Sequence, residues 1–156
     1  MPTPSNSLLN NLRDEHKAMA QLVELIKQER VQLLEANIDK LNELTQEKSR
    51  LVAHMSELAN RRDNALAAAG FTSKETAMKS WLSTAGSDAG AAWSALLSLT
   101  ESAKELNRVN GMLINRHMSD NQNALNALHA APQGSNVYGP NGQSTVKPVT
   151  RRLVVG

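Results

Sequence analysis

The sequence predicts an all-α protein: an elongated antiparallel helical bundle, coiled-coil-like, of three long helices plus one short helix. Three observations carry this. Apolar residues recur at alternating spacings of four and three over most of residues 8–129, the period of a helix seam and not the alternation of a strand. Between Pro4 and Gly70 there is no glycine and no proline, so nothing breaks a helix there. The aromatics are only Phe71, Trp81, Trp93 and Tyr138. Leu, Ala and Met must therefore fill the core, which suits packed helices better than a sheet.

The first helix is expected over 8–36, with Ser7 as its cap. Its seam is Leu8, Leu12, Glu15, Met19, Leu22, Ile26, Glu29 and Leu33, and Leu9, Val23 and Leu34 widen the apolar stripe toward what a bundle needs. Glu15 and Glu29 are polar defects in that seam. They lie ~21 Å apart along one helix, too far to share a proton, so they read as a solvated edge. The pattern pauses at Glu35-Ala-Asn-Ile-Asp39, where Asn37 ends one helix and Asp39 caps the next.

The second helix, over 39–69, carries the seam Leu41, Leu44, Lys48, Leu51, Met55, Leu58, Arg62 and Ala65. The stems of Lys48 and Arg62 can cover apolar surface while their heads reach water. A short connection makes the first two helices antiparallel neighbours; the alternative is one helix kinked at residue 37. Gly70 ends the second helix, with Phe71 supplying the C-terminal apolar contact.

Thr72-Ser-Lys-Glu75 resembles a capping box and opens a short helix over 73–83, whose Met78 and Trp81 fold onto the bundle end. Residues 84–90 form a loop. The third long helix, 89–129, has its seam at 92, 96, 99, 103, 106, 110, 113, 117, 120 and 124. Its first part is dense and apolar. Beyond Leu113 the seam meets His117 and Asp120, and the apolar set shifts to Leu125 and Leu128. Asparagines at 107, 110, 115, 121, 123 and 126 interrupt it, and Asn is a poor helix former. The helix is ~60 Å long, and roughly its last four turns outrun the others. An apolar stripe without an internal partner marks a binding surface.

Two regions follow from composition: a helical bundle domain, 1–130, and a flexible C-terminal tail, 131–156, rich in Gly and Pro. The chain carries +2, and residues 130–156 hold Lys147, Arg151 and Arg152 without an acid, which leaves −1 for residues 1–129. That is no nucleic-acid footprint, which clusters Lys and Arg on one folded face. With no cysteine, thiol catalysis and Cys-ligated zinc are excluded. A secretory signal is not apparent, and no apolar run reaches the ~20 residues of a membrane span. The expectation is a soluble cytoplasmic protein without membrane insertion.

Catalytic and metal motifs are missing from the sequence. There is no phosphate loop and no Gly-x-Ser-x-Gly or His-Glu-x-x-His. The residues three before His16, His54, His117 and His129 are Arg13, Leu51, Ile114 and Asn126, so the Glu-x-x-His pairs of di-iron bundles are lacking. No cofactor and no enzyme activity are expected.

Several features in order resemble one family. Asp-Lys-Leu-x-x-Leu-Thr-x-Glu-Lys spans 39–48 and Leu-Asn-x-x-Asn-Gly-x-Leu-Ile spans 106–114. Asn-Gln-x-Ala-Leu ends at Leu125, and Val-Tyr-Gly-x-x-Gly-Gln spans 137–143. Together they resemble the FlgN-type flagellar export chaperones, which serve the hook–filament junction (hook-associated) proteins. The resemblance implies a cytoplasmic chaperone for type III export that binds the C-terminal helices of those clients, prevents premature assembly and delivers them to the export gate. It places client binding on the C-terminal part of the third helix: Leu106, Asn110, Leu113, Ile114, His117, Leu125 and Leu128. It also implies that Tyr138 contacts the export gate platform. The alternative from the heptads alone is a structural coiled-coil adaptor that self-associates.

Overall fold

The computed structural model describes residues 3–73 and 75–130, and among them every regular element is a helix. Four helices follow in order: α1 (Pro4–Glu35), α2 (Ile38–Ala68), α3 (Ala77–Ala85) and α4 (Ser87–Ala130). The protein is a helical bundle.

α1 begins earlier than its seam suggests. Thr3, not Ser7, is the cap: its Oγ1 accepts from the Asn6 amide at 3.3 Å, and Pro4 occupies the first turn, where a missing N–H costs nothing. The helix stops at Ala36, which takes the left-handed conformation at φ 54°. The Asn37 amide then donates to Gln32 O at 3.0 Å and the Ala36 amide to Leu33 O at 3.3 Å, closing the helix as a glycine usually does. Asn37 is also the cap of α2, its Oδ1 accepting from the Lys40 amide at 3.1 Å. Because Asn37 serves both helices, the expected cap at Asp39 falls one residue inside α2.

The connection is an antiparallel hairpin and not a kinked helix. Asn11 Nδ2 donates to Leu58 O at 3.0 Å, and Glu15 pairs with Arg62 and Glu29 with Lys48. Each expected seam position of both helices is buried or half-buried. Leu34 is the exception in the widened stripe and is exposed.

Gly70, at φ 97°, ends α2. The Phe71 amide donates to Leu66 O at 2.9 Å and the Gly70 amide to Ala67 O at 3.0 Å, and Phe71 packs on the cluster that holds Leu66. This is the closure a C-terminal glycine makes. The expected capping box at 72–75 does not form one: α3 starts at Ala77, preceded by Thr76, which makes no side-chain cap bond among the described residues. Gly86, at φ 91°, separates α3 from α4, so the expected loop over 84–90 shrinks to one residue.

The chain divides into two compact units, Met1–Gly111 and Met112–Gly156. The core lies in the first. Leu8, Leu12, Leu66, Ala77, Trp81, Ala89 and Leu96 form one apolar cluster, with Met78 and Phe71 against it. Val23, Ile26 and Ala103 form a second, with Leu99 and Leu106 against it. α1 thus packs on both α2 and α4, with α4 running parallel to it and itself in contact with α2. In the second unit the described residues are the rest of α4, Met112 to Ala130.

Candidate functional site

Beyond Asn110 no described residue of α4 is buried. Of the large apolar side chains exposed there, four lie on one side of the helix: Ile114 41 %, Met118 65 %, Leu125 50 % and Leu128 69 %. With Asn121 they step by four, three, four and three, so at 100° per residue all five point within about 40° of one direction. Asn126 accepts from Gln122 Nε2 at 3.1 Å, a polar contact of the kind that supports an exposed helix. The result is an amphipathic helix face with apolar knobs at the spacing a second helix would read. Leu113 and His117 lie half-exposed beside it. Met118 was missed in the sequence because the seam was extended through 113, 117 and 120; the four-three spacing that starts at Ile114 is the signal that finds it. Met112 is 57 % exposed and lies on the opposite side of the helix.

Two expected site residues belong to the scaffold instead. Leu106 packs against Val23, Ile26 and Ala103. Asn110 is 1 % exposed, with its Nδ2 donating to Ile26 O at 2.8 Å and to Glu29 Oε1 at 2.9 Å. Its Oδ1 accepts from Arg30 Nε at 3.3 Å. A buried amide is tolerable when its donors and acceptor are met, which is why asparagine at this position reads as a core residue only once its partners are seen. Lys48 Nζ extends the cluster, donating to both Glu29 oxygens and to Asn107 Oδ1, all at 3.2 Å. One polar layer thereby ties α1, α2 and α4 together at the upper end of the first unit.

The chain matches the family model described as FlgN protein over residues 1–145. It belongs to the FlgN family. Family membership makes it a flagellar export chaperone in the general sense. Comparison with curated proteins and with solved structures gave no match. The match to FlgN covers the helices and includes Tyr138, although residues 131–156, and Tyr138 with them, lie outside the described residues.

Two readings of the seam are corrected in this FlgN chain. Glu15 and Glu29 are not a solvated edge: both are buried. Arg62 and Lys48 do not reach out to water; they turn onto Glu15 and Glu29. A polar seam residue on one helix is met by an opposite charge at the matching position of the other, so the four defects become two ion pairs. Burial pushes the Glu15 carboxyl above the usual carboxylate range, and Arg62 and the Asn11 amide pull it part of the way back. The Arg62 guanidinium also lies over the Trp93 ring, 5.1 Å from its centroid, where the ring face attracts it. These groups floor a cavity of about 270 Å³ walled by Met19, Met55, Leu96 and Leu97.

Among the described residues no group of three or more His, Cys, Asp or Glu is placed to hold a metal, and no helix is long and apolar enough to cross a membrane.

Proposed function

We propose that the chain is a cytoplasmic chaperone of flagellar type III export that holds the C-terminal helical segment of hook–filament junction proteins on the outer part of α4. The observation that carries this reading is the exposed stripe of Ile114, Met118, Leu125 and Leu128 on a family member. A client helix laid along it would cover about four turns at matching spacing. Leu113 and His117 flank the stripe and complete the contact. Leu106 and Asn110 act indirectly, by fixing the helix that carries it. The polar asparagines between the knobs keep the empty face wettable before a client arrives. Covering the client's own assembly helix keeps it from polymerising too early.

Delivery uses the other end of the matched region. Tyr138 supplies an aromatic anchor for the export gate platform, with few rotamers to immobilise and a hydroxyl for one polar contact. Client capture and gate docking then reside in separate segments.

Calorimetry with the full chain tests this. The C-terminal helical segment of a junction protein should bind, and an unrelated amphipathic helix of equal length should bind far more weakly. Tyr138→Ala should bind client normally and lose the gate platform. Failure of every junction-protein segment to bind would overturn the chaperone assignment to these clients. Loss of client binding in Tyr138→Ala would overturn the two-site arrangement. Self-association of the free chain without any client binding would favour the coiled-coil adaptor.

A further inference from the structure

We infer that this chain can exchange α1 with a second copy of itself: the α1–α2 turn straightens, residues 4–68 become one helix, and each α1–α2 contact is remade between chains.

The turn makes this possible. It is only Ala36 and Asn37, and Ala36 holds a left-handed conformation that an L side chain disfavours. Short, strained hinges are where helices exchange between copies. From Leu33 to Leu41 there is neither glycine nor proline, so the segment can continue as helix. Leu34 and Ile38, both exposed in the hairpin, would then sit one turn apart on one side, a favourable spacing.

The phase of the two seams is the decisive condition. Leu33 and Leu44 are the buried residues that flank the turn. They are eleven residues apart, about three helical turns, so in a straight helix they face within about 20° of each other. The α1 and α2 seams would therefore lie on one continuous face. The ion pairs share one register: Glu15 lies two heptads farther from the turn than Glu29, and Arg62 two heptads farther than Lys48. Two straightened copies, antiparallel about the turn, would place Glu15 on Arg62 and Glu29 on Lys48 of the other chain, twice over. The contacts of α1 with α3 and α4 move with it, including Asn110 to Ile26 O and Glu29, so each half of the dimer is a complete first unit. What the exchange gives up is local: the Asn37 cap bond to the Lys40 amide, and separation of Glu35 from Asp39, like charges one turn apart in the straight helix. Those terms hold the monomer at low concentration, and mass action favours the dimer as concentration rises.

The test uses the native full chain. Equal amounts of unlabelled and ¹⁵N-labelled protein are unfolded together, refolded at low and at high concentration, and separated by size with light scattering. Each fraction is then treated with a zero-length carbodiimide, which couples the Glu29 carboxylate to the Lys48 amine, and the linked peptides are read by mass spectrometry. A dimer fraction that grows with concentration is expected, with about half of its Glu29–Lys48 links joining light to heavy chains, while the monomer shows none. Asn37→Ala should raise the dimer fraction several-fold and Ala36→Gly should lower it. A dimer whose Glu29–Lys48 links are all same-label would overturn the exchange. So would the absence of a dimer at every concentration in both the native chain and Asn37→Ala.

Discussion

Replacing Leu125 and Leu128 with Asp separates a binding surface from a core. The two side chains are 50 % and 69 % exposed in the free chain. Full burial of a leucine stabilises by ~1.5–3 kcal/mol, so covering what is left exposed is worth ~1–2 kcal/mol at each position. An aspartate there would lose that gain and leave a carboxylate dehydrated against the client, a further ~1–3 kcal/mol. Each single variant should then bind a junction-protein helix about 30- to 4,000-fold more weakly, at ~1.4 kcal/mol per factor of ten. The pair is close enough to couple, so the double variant falls short of the product. Fold stability should barely change: an exposed substitution stays within ~0.5 kcal/mol, plus a few tenths at Leu128 for an acid near a helix C-terminus. Leu12→Asp is the contrast, because Leu12 is fully buried in the first cluster and a charge there costs several kcal/mol. Circular dichroism melts beside calorimetric titrations decide it. If Leu125→Asp and Leu128→Asp unfold the chain, or bind client as the native chain does, the stripe is not the client surface.

Other perturbations probe the scaffold. Asn110→Asp keeps the shape of the side chain but sets a second carboxylate against Glu29, where the amide now donates at 2.9 Å; a loss of ~2–4 kcal/mol is expected in urea melts at neutral pH, with client affinity of the folded fraction unchanged. Arg62→Met strips Glu15 of its counter-charge and should cost ~2–4 kcal/mol, whereas Glu15→Leu with Arg62→Leu should be near neutral or stabilising, since a well-packed apolar pair replaces a buried ionic one at no loss; equal destabilisation of both variants would refute the pairing. The pH dependence of Glu15 has a definite sign. Its folded carboxyl holds a proton more tightly than the unfolded one because burial raises it. Its contribution is therefore fully present below the ordinary glutamate value of ~4.3 and is lost as pH rises through the raised folded value. Native stability measured against Glu15→Gln should decline from about pH 4 toward neutrality, and a rise over that window would contradict the assignment.

The sequence by itself determined the helices and their seams. Leu8 to Leu33 and Leu41 to Ala65 repeat with the helix period, and that period can be satisfied only by burying one face, so each expected seam position is covered in the structure. Gly70 was equally legible, because a glycine followed by an apolar residue has a local geometry that needs no distant partner. The turn at Ala36–Asn37 was harder, since an alanine carries no sign of a left-handed backbone and one asparagine closes one helix while capping the next. The polar seam positions were beyond local reasoning. Glu15, Glu29, Lys48 and Arg62 each look like a defect on a single helix, and whether such a group meets water or a counter-charge depends on the register between helices. Asn110 shows the same limit from the other side: poor helix propensity marked it for the surface, but only packing supplies the Ile26 carbonyl and Glu29 carboxylate that make a buried amide tolerable. The stripe from Ile114 to Leu128 follows from its spacing alone, while its exposure follows from where the buried positions of α4 stop, at Asn110. Periodicity is a property of one helix and can be read along the chain; burial is a property of the neighbours, and those only the tertiary structure provides.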